Sequence, residues 1–378
     1  MQPIYIFDFL IIYYIILPSY HLIIKEECSV LSSRIKWIDI AKAISIILIV
    51  FGHTMKGGMV RQIIYSFHVV SFIFLSGMTI KHEVPLTQIK KDFCKIMIPY
   101  YCFGSISIII YLFLGNFVAS KFQLDLSISA GQSFRGLLYA SSQGSALKFN
   151  LPLWFLPCLF AIRTIYILLY RLFRGNFLTL YLIASAASIF SFWYTSDKWF
   201  YLPFCFELTL KLLPFFVLGT KFQTFYSILS SRIKSKSIIC LCGILLIAIA
   251  CILGYYFPCV NYHNNQFHNP LGFFITAFFG SVGISLASIG IDNCRYMEYL
   301  GRNTMGILVM HKFPILFFQT IGPFEKILRQ YDSPIGLLCG GLPVSLLSII
   351  LCLLANIIVK KHFPFLLGLP YKKTLCQK

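Results

Sequence analysis

Three histidines, a lysine and an aspartate stand inside segments apolar enough to enter a bilayer, and their spacing is the strongest chemical signal in the chain. Within Lys36 to His53, eleven steps separate Lys42 from His53, and at about 100° per residue they sum to roughly three helical turns. The fourteen steps from Asp39 to His53 come close to four turns, so Asp39, Lys42 and His53 share one face. At about 1.5 Å per residue, Asp39 lies near one membrane surface and His53 roughly 20 Å deeper. Ionisable groups at that depth are costly and point into protein or a wet cavity, which makes them candidates for function. The bland alternative is a polar stripe that only holds helices together.

His68, in Ser66-Phe67-His68-Val69, is expected about five residues in from the same surface that His53 approaches. His311, in Val309-Met310-His311-Lys312, stands in the middle of a later span. None of the three shows the i, i+4 spacing of a helical metal pair, and no acidic or thiol ligand accompanies them, so no metal is expected. A buried imidazole that titrates near neutrality suits a general base or a nucleophile, and for His68 a structural hydrogen bond is an equal reading. Lys42 and Asp39, at i, i+3, form either a mutual ion pair or, for Lys42, a contact to an anionic ligand. Lys90-Lys91-Asp92-Phe93-Cys94-Lys95 is either a topology signal or a phosphate-binding surface. Glu207 and Lys211, at i, i+4, are expected to pair.

The elements that must position these residues follow from composition. The chain is 58% hydrophobic and 12% charged, with a mean hydropathy of +0.79, which belongs to a polytopic, all-α transmembrane bundle. Ten core spans are expected, at about 38–54, 63–80, 93–115, 151–170, 176–194, 204–220, 237–257, 271–291, 304–322 and 335–359. Residues 4–24 are a further apolar segment and a poor signal peptide, having no positive n-region and no small-residue cleavage site. Assigning alternate loops to one side collects twenty basic residues against eight, which makes the richer side, and with it the C-terminus, cytoplasmic. The net charge of +19 is therefore read as orientation and not as a nucleic-acid footprint. The 13 cysteines include no CxxC pair and read as small core residues. In the loops, Gly131 to Tyr139 is expected to form a short interfacial helix, and Asn261-Tyr262-His263-Asn264-Asn265 offers groups suited to sugar hydroxyls. No Walker sequence or GxGxxG supports a nucleotide-driven or Rossmann enzyme.

Five segments in order resemble the integral-membrane acyltransferase-3 family. They are Asp39-Ile40-Ala41-Lys42 through Gly52-His53, Phe67-His68 through Ser76-Gly77, Lys95 through Pro99-Tyr100, Leu153-Trp154-Phe155-Leu156, and Gly301-Arg302-Asn303-Thr304 through His311. The similar branch is that of fucose 4-O-acetylase and related acetyltransferases, and the resemblance runs from about residue 35 to 360. It implies transfer of an acyl group, usually acetyl, from cytoplasmic acyl-CoA to a sugar hydroxyl, with acyl-CoA as co-substrate and no tightly bound cofactor.

The resemblance carries the family's essential histidine to His53 and its basic residue to Lys42, where many members have arginine. The family's Arg-x-x-Arg is only approximated by Lys91 and Lys95, which are expected with Lys42 to hold the donor phosphates. His68 and His311 are expected to orient His53 or the acceptor, and Asp39 and Trp154 to serve substrate binding, Trp154 by stacking on a sugar. The expected organisation is an N-terminal segment and linker at 1–34, the membrane domain at 35–360 and a basic tail at 361–378. Expected partners are acyl-CoA, a sugar or lipid-linked glycan and membrane lipids, and the expected location is the bacterial inner membrane. A transporter or flippase without chemistry is the rival reading.

Overall fold

The computed structural model describes residues 34–55, 57–122, 130–141, 150–195, 202–262, 266–267, 269–291, 294–320, 322–328, 330 and 333–370. The expected N-terminal span and the end of the basic tail lie outside these residues. Among them, nine helical stretches are long and apolar enough to cross a membrane, and the architecture is the all-α polytopic bundle that composition implies.

Helix α1 is Lys36–Thr54, and the second stretch divides into α2 (Met59–Tyr65) and α3 (His68–Met78). The third joins α4 (Pro85–Asp92) to α5 (Ile98–Phe122) through a π turn at Phe93–Met97. The expected loop helix forms as α6 (Ala130–Tyr139). A tight turn at Leu151–Trp154 leads into α7 (Phe155–Leu172), followed by α8 (Phe177–Thr195), α9 (Phe206–Arg232) and α10 (Lys236–Tyr256). Strands β1 (Cys259–Asn261) and β2 (Gln266–Phe267) make a small antiparallel ribbon before α11 (Pro270–Gly290). Short helices α12 (Arg295–Arg302), α13 (Thr304–Met310), α14 (Lys312–Thr320) and α15 (Gly322–Leu328) precede α16 (Leu342–His362).

The expected ninth core span, 304–322, departs from a single helix: it is α13 and α14, broken at His311. Pro314 is the local cause, because it has no N–H to give the Met310 carbonyl and its ring crowds the preceding turn.

Burial sorts the helices into centre and rim. Ile46, Ile49 and Val50 of α1 pack in one core with Val70 and Ile73 of α3, Leu212 of α9 and Val309 of α13. By contrast α8, α10 and α16 expose Leu178, Ile189, Leu241, Ile252, Leu346 and Ile357, an apolar outer surface of the kind lipid covers. Small residues let the central helices approach closely. A Cβ on Gly77 would overlap the Phe216 carbonyl, and one on Gly219 the Phe74 carbonyl, so α3 and α9 cross backbone to backbone. Gly301 likewise presses α12 on the Asp39 carbonyl of α1.

Candidate active site

Two helix breaks set the imidazoles. Between α2 and α3, Phe67 leaves helical geometry at φ −144° and ψ −20°, and the Ile64 carbonyl accepts both the Phe67 N–H (3.2 Å) and the His68 Nδ1–H (2.7 Å). At the α13–α14 break, His311 Nδ1 lies 2.8 Å from the Leu308 carbonyl and 3.1 Å from that of Ile307. A carbonyl only accepts, so Nδ1 carries the proton in both rings and Nε2 keeps its lone pair. His311 Nε2 is buried with no hydrogen-bond partner among the described residues.

His53, in the last turn of α1, is half-buried and meets both broken helices. Its Nδ1 lies 3.1 Å from the Tyr65 hydroxyl at the end of α2. Its ring centroid is 5.3 Å from that of His311, and the Tyr65 ring stands edge-on to His68 at 4.7 Å. Tyr65 therefore links His53 to His68, and His311 closes the other side.

His53, Tyr65 and His68 border a cavity of about 250 Å³ whose lining also includes Arg61, Trp154, Tyr262, Lys312 and Gln319. Trp154 and Tyr262 stack at 5.8 Å with their planes 21° apart. Asn150 steadies the turn that carries Trp154, donating to the Val309 carbonyl of α13 (2.9 Å) and to Ser107 Oγ of α5 (3.3 Å). The β1–β2 ribbon delivers Tyr262, which rests edge-on against Phe267 and Phe273. Gln319 is tied to the end of α1 through the Thr54 carbonyl at 3.3 Å. The Arg61 guanidinium lies 4.4 Å over the Tyr65 ring.

The other end of α1 is built from ion pairs. Asp39 is held by Arg34, Nε to Oδ2 at 2.9 Å, and by Arg302, Nε to Oδ2 at 3.5 Å. Arg302 also donates to Glu298 at 2.8 Å. Of the two readings of Lys42, the ion pair with Asp39 does not form: two arginines from outside the helix take the carboxylate. Lys42, half-buried, makes no hydrogen bond or ion pair among the described residues. Lys91 pairs with Glu83 at 2.8 Å, while Lys95 is exposed on the π turn. Arg163 grips the Asp92 carboxylate with two bonds of 2.9 Å and donates to Ser76 Oγ at 3.0 Å. An open recess beside Arg302 is lined by Lys36, Arg295, Tyr296, Glu298, Tyr299 and Arg302.

The structure therefore brings His53, His68, His311 and Trp154 together and leaves Asp39, Lys42, Lys91 and Lys95 outside that cavity's lining. Glu207 accepts the Leu202 N–H at 3.0 Å and Lys211 donates to Thr195 Oγ1 at 2.7 Å, with the Glu207 charge close enough to act on the Lys211 ammonium. Of the loop expected to meet sugars, Tyr262 reaches the cavity, while His263, Asn264 and Asn265 lie outside the described residues. Sequence reasoning missed Tyr65, Arg61, Lys312, Gln319 and the Asp92–Arg163 pair. Lys312 carried a usable signal, being a cation inside a span next to His311, whereas Arg61 read only as loop charge.

Nine long apolar helical stretches among the described residues, together with a buried cluster of imidazoles, define an integral membrane protein. A family model described as an acyltransferase domain matches residues 35–357, so the chain belongs to the acyltransferase-3 family, a family of membrane acyltransferases. Comparisons with curated proteins and with solved structures return no match.

Proposed function

We propose that this protein transfers an acyl group, acetyl in the simplest case, from acyl-CoA to a hydroxyl of a cell-envelope or exported sugar, as the resemblance to fucose 4-O-acetylases implies. The cluster of His53, Tyr65 and His68 on one cavity, with the His311 ring 5.3 Å from that of His53, is the observation that carries this reading. The donor approaches the Lys36 end of α1, which the distribution of basic loops makes cytoplasmic. Lys42 meets its phosphates there, one side chain without a protein partner among the described residues. Exposed Lys95 adds charge nearby, whereas Lys91 serves only after leaving Glu83. From Lys42 to His53 the helix rises about 16 Å, the distance the acylated arm of the donor bridges.

At His53 two routes conserve every bond. As a general base, Nε2 takes the acceptor's hydroxyl proton while its oxygen attacks the thioester carbonyl, the C–S bond breaks, and the thiolate recovers the proton. As a carrier, Nε2 attacks the thioester first and the thiolate leaves; the acceptor oxygen then takes the acyl group from the imidazole while its hydroxyl proton passes to the thiolate, and Nε2 regains its lone pair. Either route requires the Nε2 lone pair, so His53 Nδ1–H donates to the Tyr65 oxygen. His68 and His311, each fixed by backbone carbonyls, hold Tyr65 and the His53 ring in place. Trp154 offers its face to the acceptor's sugar ring.

The test is to incubate membranes holding wild type or His53→Ala with radiolabelled acetyl-CoA and extracted envelope glycans, following label into alkali-labile ester. Label that requires His53 supports the assignment. Substrate movement across sealed vesicles without acetyl-CoA, and no ester from folded protein, transfers the weight to a flippase.

A further inference from the structure

We propose that the acceptor carries a negative charge, a carboxylate or a phosphate ester, beside the hydroxyl that is acylated. The inference rests on the acyl-transfer reading above and names the substrate class of the same cavity. Two cations, Arg61 and Lys312, line the space next to His53, and no aspartate or glutamate lines it among the described residues. Arg61 is anchored by its guanidinium face over Tyr65, one ring away from the hydroxyl that meets His53 Nδ1. Its Nε is buried with no hydrogen-bond partner among the described residues.

A donor left unsatisfied away from water costs free energy, and an anionic oxygen in the cavity would relieve that cost with a short charge-assisted bond. Lys312 lines the same cavity, immediately after His311 at the α13–α14 break. A sugar laid on the Trp154–Tyr262 pair would then have its ring on an aromatic face, its charge toward Arg61 and Lys312, and a neighbouring hydroxyl at His53. A neutral sugar satisfies the aromatic face and offers the buried Arg61 Nε no anionic oxygen. A competing role for the two cations is to stabilise the oxyanion formed at the thioester carbon. That role lowers kcat for every acceptor alike, whereas recognition of acceptor charge appears in KM for charged acceptors alone.

The experiment uses membranes with the full chain, labelled acetyl-CoA and three acceptors: a hexuronate oligosaccharide, its carboxyl-reduced neutral counterpart, and a glycerol phosphate oligomer. Wild type is expected to favour at least one charged acceptor over the neutral one by about tenfold or more in kcat/KM, and the two charged arms identify carboxylate or phosphate. Arg61→Gln and Lys312→Gln are each expected to raise KM for that acceptor by about fivefold or more with kcat within about twofold, and Arg61→Lys to recover part of the loss. Equal use of the neutral acceptor by wild type, or an equal fall in kcat with all acceptors in the glutamine variants, overturns the inference and leaves acyl transfer standing. Ester on none of the three, nor on envelope glycans, from protein that retains its thermal transition overturns both.

Discussion

The two ends of α1 spend their polar groups differently. At the Lys36 end, Asp39 is shared by Arg34 and Arg302, Lys91 meets Glu83, and Arg163 grips Asp92. These are cation–carboxylate contacts that tie α1 to α12 and α4 to α7, and each of α1 and α4 to the residues just before it. At the His53 end, His68 and His311 give their Nδ1 protons to carbonyls within their own segments, so their fixed orientation needs no charged partner. Cations there face a cavity lined by no described carboxylate. One helix thus joins an end whose charges assemble the protein to an end whose imidazoles and cations line a cavity. Lys42 lies between the two, on the assembled side yet without a partner of its own among the described residues.

The largest effect that separates the ends is expected at Asp92. Replacing it with alanine leaves the Arg163 guanidinium part-buried with only Ser76 Oγ, and removing one partner of such a pair costs about 3–5 kcal/mol. Asp92→Ala is expected to lose most of its folded yield in detergent, measured by size-exclusion recovery and a lowered Tm. Asp92→Leu with Arg163→Met, which removes both charges, is expected to restore much of it. A normal Tm in the single variant would mean that the charged end is not what holds the bundle.

Tyr65→Phe probes the other end with a smaller effect. It removes the oxygen that fixes the His53 tautomer, a hydrogen bond worth about 1 kcal/mol or slightly more. A fall in kcat of about tenfold is expected with Tm nearly unchanged, together with a displaced pH–rate profile. A fall in Tm with kcat preserved would make Tyr65 a packing residue.

Lys42 tests the boundary between the ends. Lys42→Ala is expected to raise the apparent KM for acetyl-CoA by about tenfold with little change in kcat, since it removes one charge-assisted contact made before chemistry. An unchanged KM would separate Lys42 from the donor.

What could be read in advance divides along the same line. Composition and span length sufficed for the bundle, and the helical period placed Lys42 and His53 on one helix with the right separation. The break at His311 is absent from the expected span 304–322, although Pro314 removes a donor there. Nothing local announces the break before His68. There the Phe67 ring occupies space left by Gly280, where a Cβ would collide with it, and that complement comes from α11 across the bundle. Asp39 was misjudged for the same reason: its i, i+3 neighbour was visible, whereas Arg302 is brought to it by Gly301 packing on the α1 backbone. Tyr65 meets His53 only because the turn after Met55 folds α2 back on α1. Residues joined through tertiary contact leave no periodic trace.

His82, beyond the end of α3, gives the smallest contrast and a pH-dependent one. Its ring stacks on Tyr170 at 3.9 Å and 14°. Partial burial and, second, the Lys221 cation lower its pKa from the usual 6.5, so the folded protein favours the neutral ring. The unfolded chain then binds the proton more readily, and the stacking contribution is complete above about pH 6.5 and is lost as pH falls from there toward the lowered folded pKa. The side chain remains largely exposed, so after solvent screening the effect is a few tenths of a kcal/mol, about 1 °C or less in Tm. Comparing Tm at pH 7.5 and 5.5 in wild type and His82→Phe isolates it: the phenylalanine keeps the stack and is expected to show the smaller acid-side drop. Equal drops would separate the His82 stack from the acid sensitivity of the fold.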